Sequence, residues 1–99
     1  MERVADTVGT QAGGCRGVDF VLRVDRGMRV YVAGTFNDWD PRQIRLEETD
    51  GTGAYKATIE LPRGRHEYKF VVNGVWHPDL NCPHWTPNAF GSLNSVVVV

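Results

Sequence analysis

Long apolar runs are missing from this 99-residue chain. No stretch approaches the ~20 apolar residues that a membrane-spanning helix requires. The opening residues, Met1 to Asp6, lack the hydrophobic centre of an export signal, so a cytoplasmic protein without membrane contact is expected. An excess of charge of one sign is also missing. Eleven Lys and Arg face twelve Asp and Glu for a net charge of −1, which removes the basic footprint of a nucleic-acid binder. Cysteine is scarce: Cys15 and Cys82 are the two present, too few for a disulfide framework, and free thiols in a reducing compartment are the expectation. Helical periodicity is absent throughout. So are a phosphate-cradling glycine loop leading into a helix and a Ser/His/Asp or Cys/His arrangement, and no cofactor is expected.

What the sequence does carry is a period of two. Residues 1–17, rich in glycine and without apolar periodicity, read as a flexible leader or linker, and the folded domain is expected over residues 18–99. Val18, Phe20, Leu22 and Val24 alternate with mostly polar neighbours, as do Tyr55, Ala57, Ile59 and Leu61. His66, Tyr68, Phe70 and Val72 share a face opposite Glu67, Lys69 and Val71. Met28 to Ala33 is a further β-rich run, and Asn73-Gly74 is a strong hairpin-turn signal because both residue types tolerate positive φ. Gly34 to Arg45 and residues 77–94 read as loops, and Val96 to Val99 as a final strand buried on both faces. Short strands separated by turns predict an all-β fold, an antiparallel β-sandwich of six to eight strands, for which an immunoglobulin-like arrangement is the common solution at this size.

Two kinds of chemistry are poorly served. His77, Asp79, Cys82 and His84 lie close in sequence but lack the paired spacing of a zinc site, so no metal is expected. The acidic residues fall mainly in turns or on outward strand faces, whereas a glycosidase needs two carboxylates about 5–9.5 Å apart in a cleft. No enzymatic activity is expected.

Four segments carry a resemblance: Val30-Tyr-Val-Ala-Gly-Thr-Phe-Asn-Asp-Trp39, Gly53-Ala-Tyr-Lys-Ala-Thr-Ile-Glu-Leu61, Gly64-Arg-His-Glu-Tyr-Lys-Phe-Val-Val-Asn-Gly-Val-Trp76 and Phe90-Gly-Ser-Leu-Asn94. In this order they resemble the glycogen-binding domain of the AMP-activated protein kinase β-subunit and the wider carbohydrate-binding module family 48. The resemblance covers nearly all of the folded part and implies an early-set immunoglobulin-like sandwich that binds α-1,4-glucan without catalysis. By position it implies that Trp39 and Trp76 stack on the sugar and that Lys69 and Asn94 contact its hydroxyls. Phe90 would push into the glucan helix, and Ser92 stands where the family has threonine. Trp85 lies outside this pattern, in a proline-rich loop, and reads either as an extra platform or as a lid over the core. The implied partners are an α-glucan and a glucan-active enzyme or kinase domain. The alternative is a docking module of the same fold that no longer binds sugar.

Those residue types suit a glucan for a physical reason. A glucose ring presents an apolar C–H face, slightly electropositive, that matches the negative face of an indole. Its rim hydroxyls must be paired wherever they are buried, and an amine and an amide supply the donors and acceptor.

Overall fold

The computed structural model describes residues 15–49 and 51–99. Most of the expected leader therefore lies outside the described residues. Its last three residues do not: Cys15, Arg16 and Gly17 pair with Pro62, Leu61 and Glu60 in the first strand.

Among the described residues, eight strands follow in chain order. They are β1 (Cys15–Arg23), β2 (Val30–Gly34), β3 (Ile44–Glu48), β4 (Ala54–Pro62), β5 (Arg65–Val72), β6 (Val75–His77), β7 (Trp85–Pro87) and β8 (Leu93–Val98). All pairings are antiparallel, in the order β1-β4-β3-β2-β5-β8-β7, with β6 added beside β5. No helix occurs among the described residues, and so none is long and apolar enough to cross a membrane. The fold is the all-β sandwich that the alternation predicts.

The sheet folds over at β3. Ile44, Arg45 and Leu46 pair with β2, whereas Glu47 and Glu48 pair with β4. A strand that changes partner midway closes one side of a sandwich without a second covalent connection. The inward rows are those set by period two: Phe20 from β1, Val30 and Val32 from β2, Leu46 from β3, Tyr55 and Leu61 from β4, and Tyr68, Phe70 and Val72 from β5. Phe20 meets Tyr68 edge-on at 4.8 Å, and Tyr68 meets Phe70 at 5.8 Å, the geometry that ring quadrupoles favour.

Three features depart from the sequence reading. Strand β3 falls partly in the expected Gly34–Arg45 loop. Strand β7 falls inside the expected loop of residues 77–94 and pairs with β8. The last strand is buried over Asn94, Ser95 and Val96, but Val98, on the outward row opposite the exposed Arg65, is exposed, while Val97 and Val99 pack against the core.

The Asn73-Gly74 hairpin forms as expected, with φ of 49° and 83°. Asn73 also accepts a hydrogen bond from the Arg29 backbone N–H through Oδ1, at 2.8 Å, which ties this hairpin to the entry of β2.

Candidate functional site

Strand β5 presents Tyr68, Phe70 and Val72 to the core, so Glu67, Lys69 and Val71 must face the other way. Register carries two neighbours to that same outer face. Trp76 of β6 sits opposite Val71, and Asn94 of β8 has the same parity as Val96, the partner of Glu67. The turn between β7 and β8 contributes Asn88, Phe90 and Ser92, and the loop after β2 contributes Thr35 and Trp39. Together these groups, Val71 excepted, line an open cavity of about 560 Å³, within the range of small-ligand sites.

Trp39 is placed by a strained turn. Asp38 and Trp39 both adopt the left-handed region, at φ of 55° and 58°. A bulky residue there is a conformational outlier that neighbouring bonds must hold. Asn37 supplies them: its Oδ1 accepts from the Gly34 N–H at 2.9 Å, and its Nδ2 faces the carbonyls of Val32 and Asp40. The Trp39 N–H donates to the Gly34 carbonyl at 2.9 Å. Asn37→Ala is therefore expected to cost about 1–2 kcal/mol of stability. It should also weaken ligand binding by roughly tenfold, about 1.4 kcal/mol. Thermal melts and ligand titration of the same sample check both effects.

The two indoles come together. Trp39 and Trp76 have ring centroids 6.5 Å apart and planes inclined at 49°. Trp76 is 43% exposed and Trp39 half-buried, so neither belongs to the core. Their inclination makes two facets rather than one plane, and a ligand that stacks on both has to turn between them.

The polar groups are better ordered than a sequence can show. Lys69 is only 8% exposed, and its ammonium donates to Ser92 Oγ. Asn94, also buried, donates from Nδ2 to Glu67 Oε1 at 3.0 Å and accepts at Oδ1 from Asn88 Nδ2 at 2.9 Å. Glu67 Oε2 meets Arg65 at 2.8 Å. Phe90 is 93% exposed at the edge of this group.

The Asn94 amide, which outweighs the opposing effect of burial, and to a lesser degree Arg65 hold the Glu67 carboxyl below its ordinary value of 4.5. A depressed carboxyl stabilises the fold above its unfolded pKa, and that contribution is lost as pH falls through the folded value. The melting temperature should thus drop on acidification below about pH 4.5. Glu67→Gln should flatten this part of the pH–melting curve, leaving the share of Asp19, which Thr58 also lowers.

Trp39, Trp76, Lys69, Ser92, Phe90 and Asn94 all border the one cavity. Trp85 does not. It pairs with Ser95, whose side chain points inward with Tyr68, so Trp85 occupies the sheet face opposite the cavity. It is 61% exposed on that face, away from the cavity that the extra-platform reading would need. Glu67, Asn88 and Thr35 belong to the site without having been singled out from sequence. Period two put Glu67 beside Lys69 on the outward row, which was the available signal; the other two sit in loops that carry none.

The segment that runs from His77, at the end of β6, through Asp79 and Cys82 to His84 is used structurally. Tyr68 donates to Asp79 Oδ2 at 2.6 Å, and the Asp79 N–H donates to Ser95 Oγ at 2.8 Å. Burial, followed by Asp79, pushes the Tyr68 phenol far above its ordinary pKa and keeps it a donor. The Cys82 thiol faces the carbonyls of His84 and Val96, each at 3.1 Å. Cys15 and Cys82 are both free.

A β-sandwich with an aromatic wall and ordered amine and amide groups on one outer face defines a class, the carbohydrate-binding modules. Within it, the chain belongs to the family described as the glycogen recognition site of AMP-activated protein kinase, whose model matches residues 19–99. Similar proteins include the 5'-AMP-activated protein kinase subunit beta-1 of Sus scrofa, 36% identical over 73 residues, which are 74% of this chain and 56% of that one. The beta-1 subunit of Bos taurus is 37% identical over 73 residues, 74% of this chain and 25% of that one. The beta-2 subunit of Mus musculus is 32% identical over 73 residues, 74% of this chain and 26% of that one. The chain thus spans between about a quarter and just over half of the length of these relatives.

Proposed function

We propose that the cavity binds α-1,4-glucan of the glycogen type without catalysing any reaction on it. The observation that carries this reading is the meeting of Trp39 and Trp76, inclined to one another, beside a buried amine and a buried amide. An α-linked glucan curves, and two inclined facets suit successive sugars of a curved chain better than those of a straight one. Trp39 and Trp76 take the C–H faces, Lys69 and Asn94 pair with hydroxyls, and Ser92 orients the lysine. Phe90, left in water, stands where it can insert into the turn of the glucan. Glu67 is the single carboxylate lining the cavity among the described residues, and its partners leave it no second acid across a cleft.

Covering roughly 200 Å² of apolar surface at ~25 cal/mol/Å² contributes about 5 kcal/mol. Adding ~1 kcal/mol for each good polar contact and subtracting the ordering costs gives a Kd between ~10 μM and ~1 mM. A site of that strength works through tethering and multivalency. The relatives are kinase subunits by name, and we infer that the module brings a larger protein, or a kinase or glucan-active partner, to glycogen in the cytoplasm. Titration with maltoheptaose, followed by tryptophan fluorescence, should saturate within that range. A flat response at millimolar ligand would favour the docking module instead.

A further inference from the structure

We propose that Asn88 is the positioning residue of this site, fixing which end of the Asn94 amide the glucan meets; the inference rests on the glucan reading above. Asn88 lies outside the Phe90-to-Asn94 motif, yet its bonds reach the ligand-facing residues of that segment. Its Oδ1 accepts from the backbone N–H groups of Phe90 and Ser92, at 2.9 and 3.1 Å. Its own N–H donates to the Ser92 carbonyl at 2.9 Å, and its carbonyl accepts from the Gly91 N–H at 3.3 Å. Its Nδ2 donates to Asn94 Oδ1.

The polarity of this chain of bonds is set from both ends. Backbone N–H groups can only donate, so Asn88 must turn Oδ1 toward Phe90 and Ser92, which leaves Nδ2 for Asn94. An ionised carboxylate can only accept, so Glu67 demands the Nδ2 of Asn94. The two demands agree, and the buried Asn94 amide is held in one orientation. One N–H and one lone pair of Asn94 remain for a ligand. An amide pinned in advance forfeits little rotational freedom on binding, which is where preorganisation adds affinity.

Asn88→Asp separates this role from simple support of the turn. The new carboxylate still accepts from Phe90 and Ser92, but its other oxygen would face Asn94 Oδ1, acceptor against acceptor. Flipping the Asn94 amide would only move the conflict to Glu67. The Kd for maltoheptaose should therefore rise roughly 5–10-fold while the melting temperature stays within about 4 °C, the scale of a sub-kcal/mol change. In an Asn94→Ala background the same substitution should change Kd by less than about twofold, because coupled residues fail additivity. Equal losses in both backgrounds, or none in either, overturn the inference while leaving wild-type binding intact. A wild-type chain that leaves maltoheptaose unbound overturns the glucan reading itself. Independently of any ligand, the Asn94 side-chain amide resonances should move in Asn88→Asp with those of β1 and β4 unchanged. Unmoved Asn94 resonances would also overturn it.

Discussion

Replacing Trp76 with alanine should abolish the fluorescence response to maltoheptaose and raise Kd by roughly 50–100-fold. The magnitude follows from area: one indole covering about 100 Å² of a sugar's C–H face at ~25 cal/mol/Å² contributes about 2.5 kcal/mol. The fold should survive, because Trp76 projects from the short β6 hairpin on the outer face and is 43% exposed. Trp39→Ala should lose a similar amount while leaving its strained turn in place, since the bonds that hold it run through Asn37 and the backbone of Gly34. Trp85→Ala is the internal control. Its ring lies on the opposite sheet face, so affinity should stay within about twofold, a change below 0.5 kcal/mol. Isothermal titration of the three variants against one glucan separates these outcomes without relying on the indoles as reporters. Equal losses from all three would contradict the placement of the site.

Gly34→Ala should produce a large loss of stability. A Cβ at this position would lie 2.4 Å from the Glu67 carbonyl oxygen and 2.7 Å from the Phe36 ring. That carbonyl cannot retreat, because it accepts from the Thr35 N–H at 2.9 Å and belongs to the β2–β5 ladder, where Gly34 pairs with Tyr68. Overpacking against backbone, together with a broken ladder, should cost about 3 kcal/mol, or roughly 12–24 °C in melting temperature for a domain of this size. Gly27 provides the contrast. Its φ is +80° but nothing lies within 4 Å of an added Cβ, so Gly27→Ala should cost only about 1 kcal/mol of backbone strain. Gly34 also accepts the Trp39 N–H, so whatever Gly34→Ala protein remains folded should bind glucan poorly. Differential scanning calorimetry ranks the two variants. Equal melting temperatures would contradict the close approach of β2 and β5.

Much of this architecture was legible in the chain. Alternation in β1, β4 and β5 chose the inward rows correctly, from Phe20 through Leu61 to Phe70, because burial on one face imposes a period of two. Asn73-Gly74 announced its hairpin through residue chemistry alone. Strand β3 stayed hidden because only Ile44 and Leu46 alternate apolar, and because it divides its pairing between two neighbours. Strand β7 is three residues ending in Pro87, and its pairing comes from Asn94 and its neighbours rather than from its own composition. Motif order found both indoles, but their inclination depends on a left-handed turn and a hairpin far apart in sequence. The outward row contained Lys69 without revealing that Ser92 and its loop would bury it. Asn88 gave no signal, since its part in the site exists only once the β7–β8 turn has formed.

The most direct test is a ¹H–¹⁵N correlation spectrum of the indole N–H groups recorded across a maltoheptaose titration. The account predicts that the resonances of Trp39 and Trp76 move together along one saturation curve, with that of Trp85 stationary. Movement of Trp85 with Trp39 and Trp76 unmoved would contradict it.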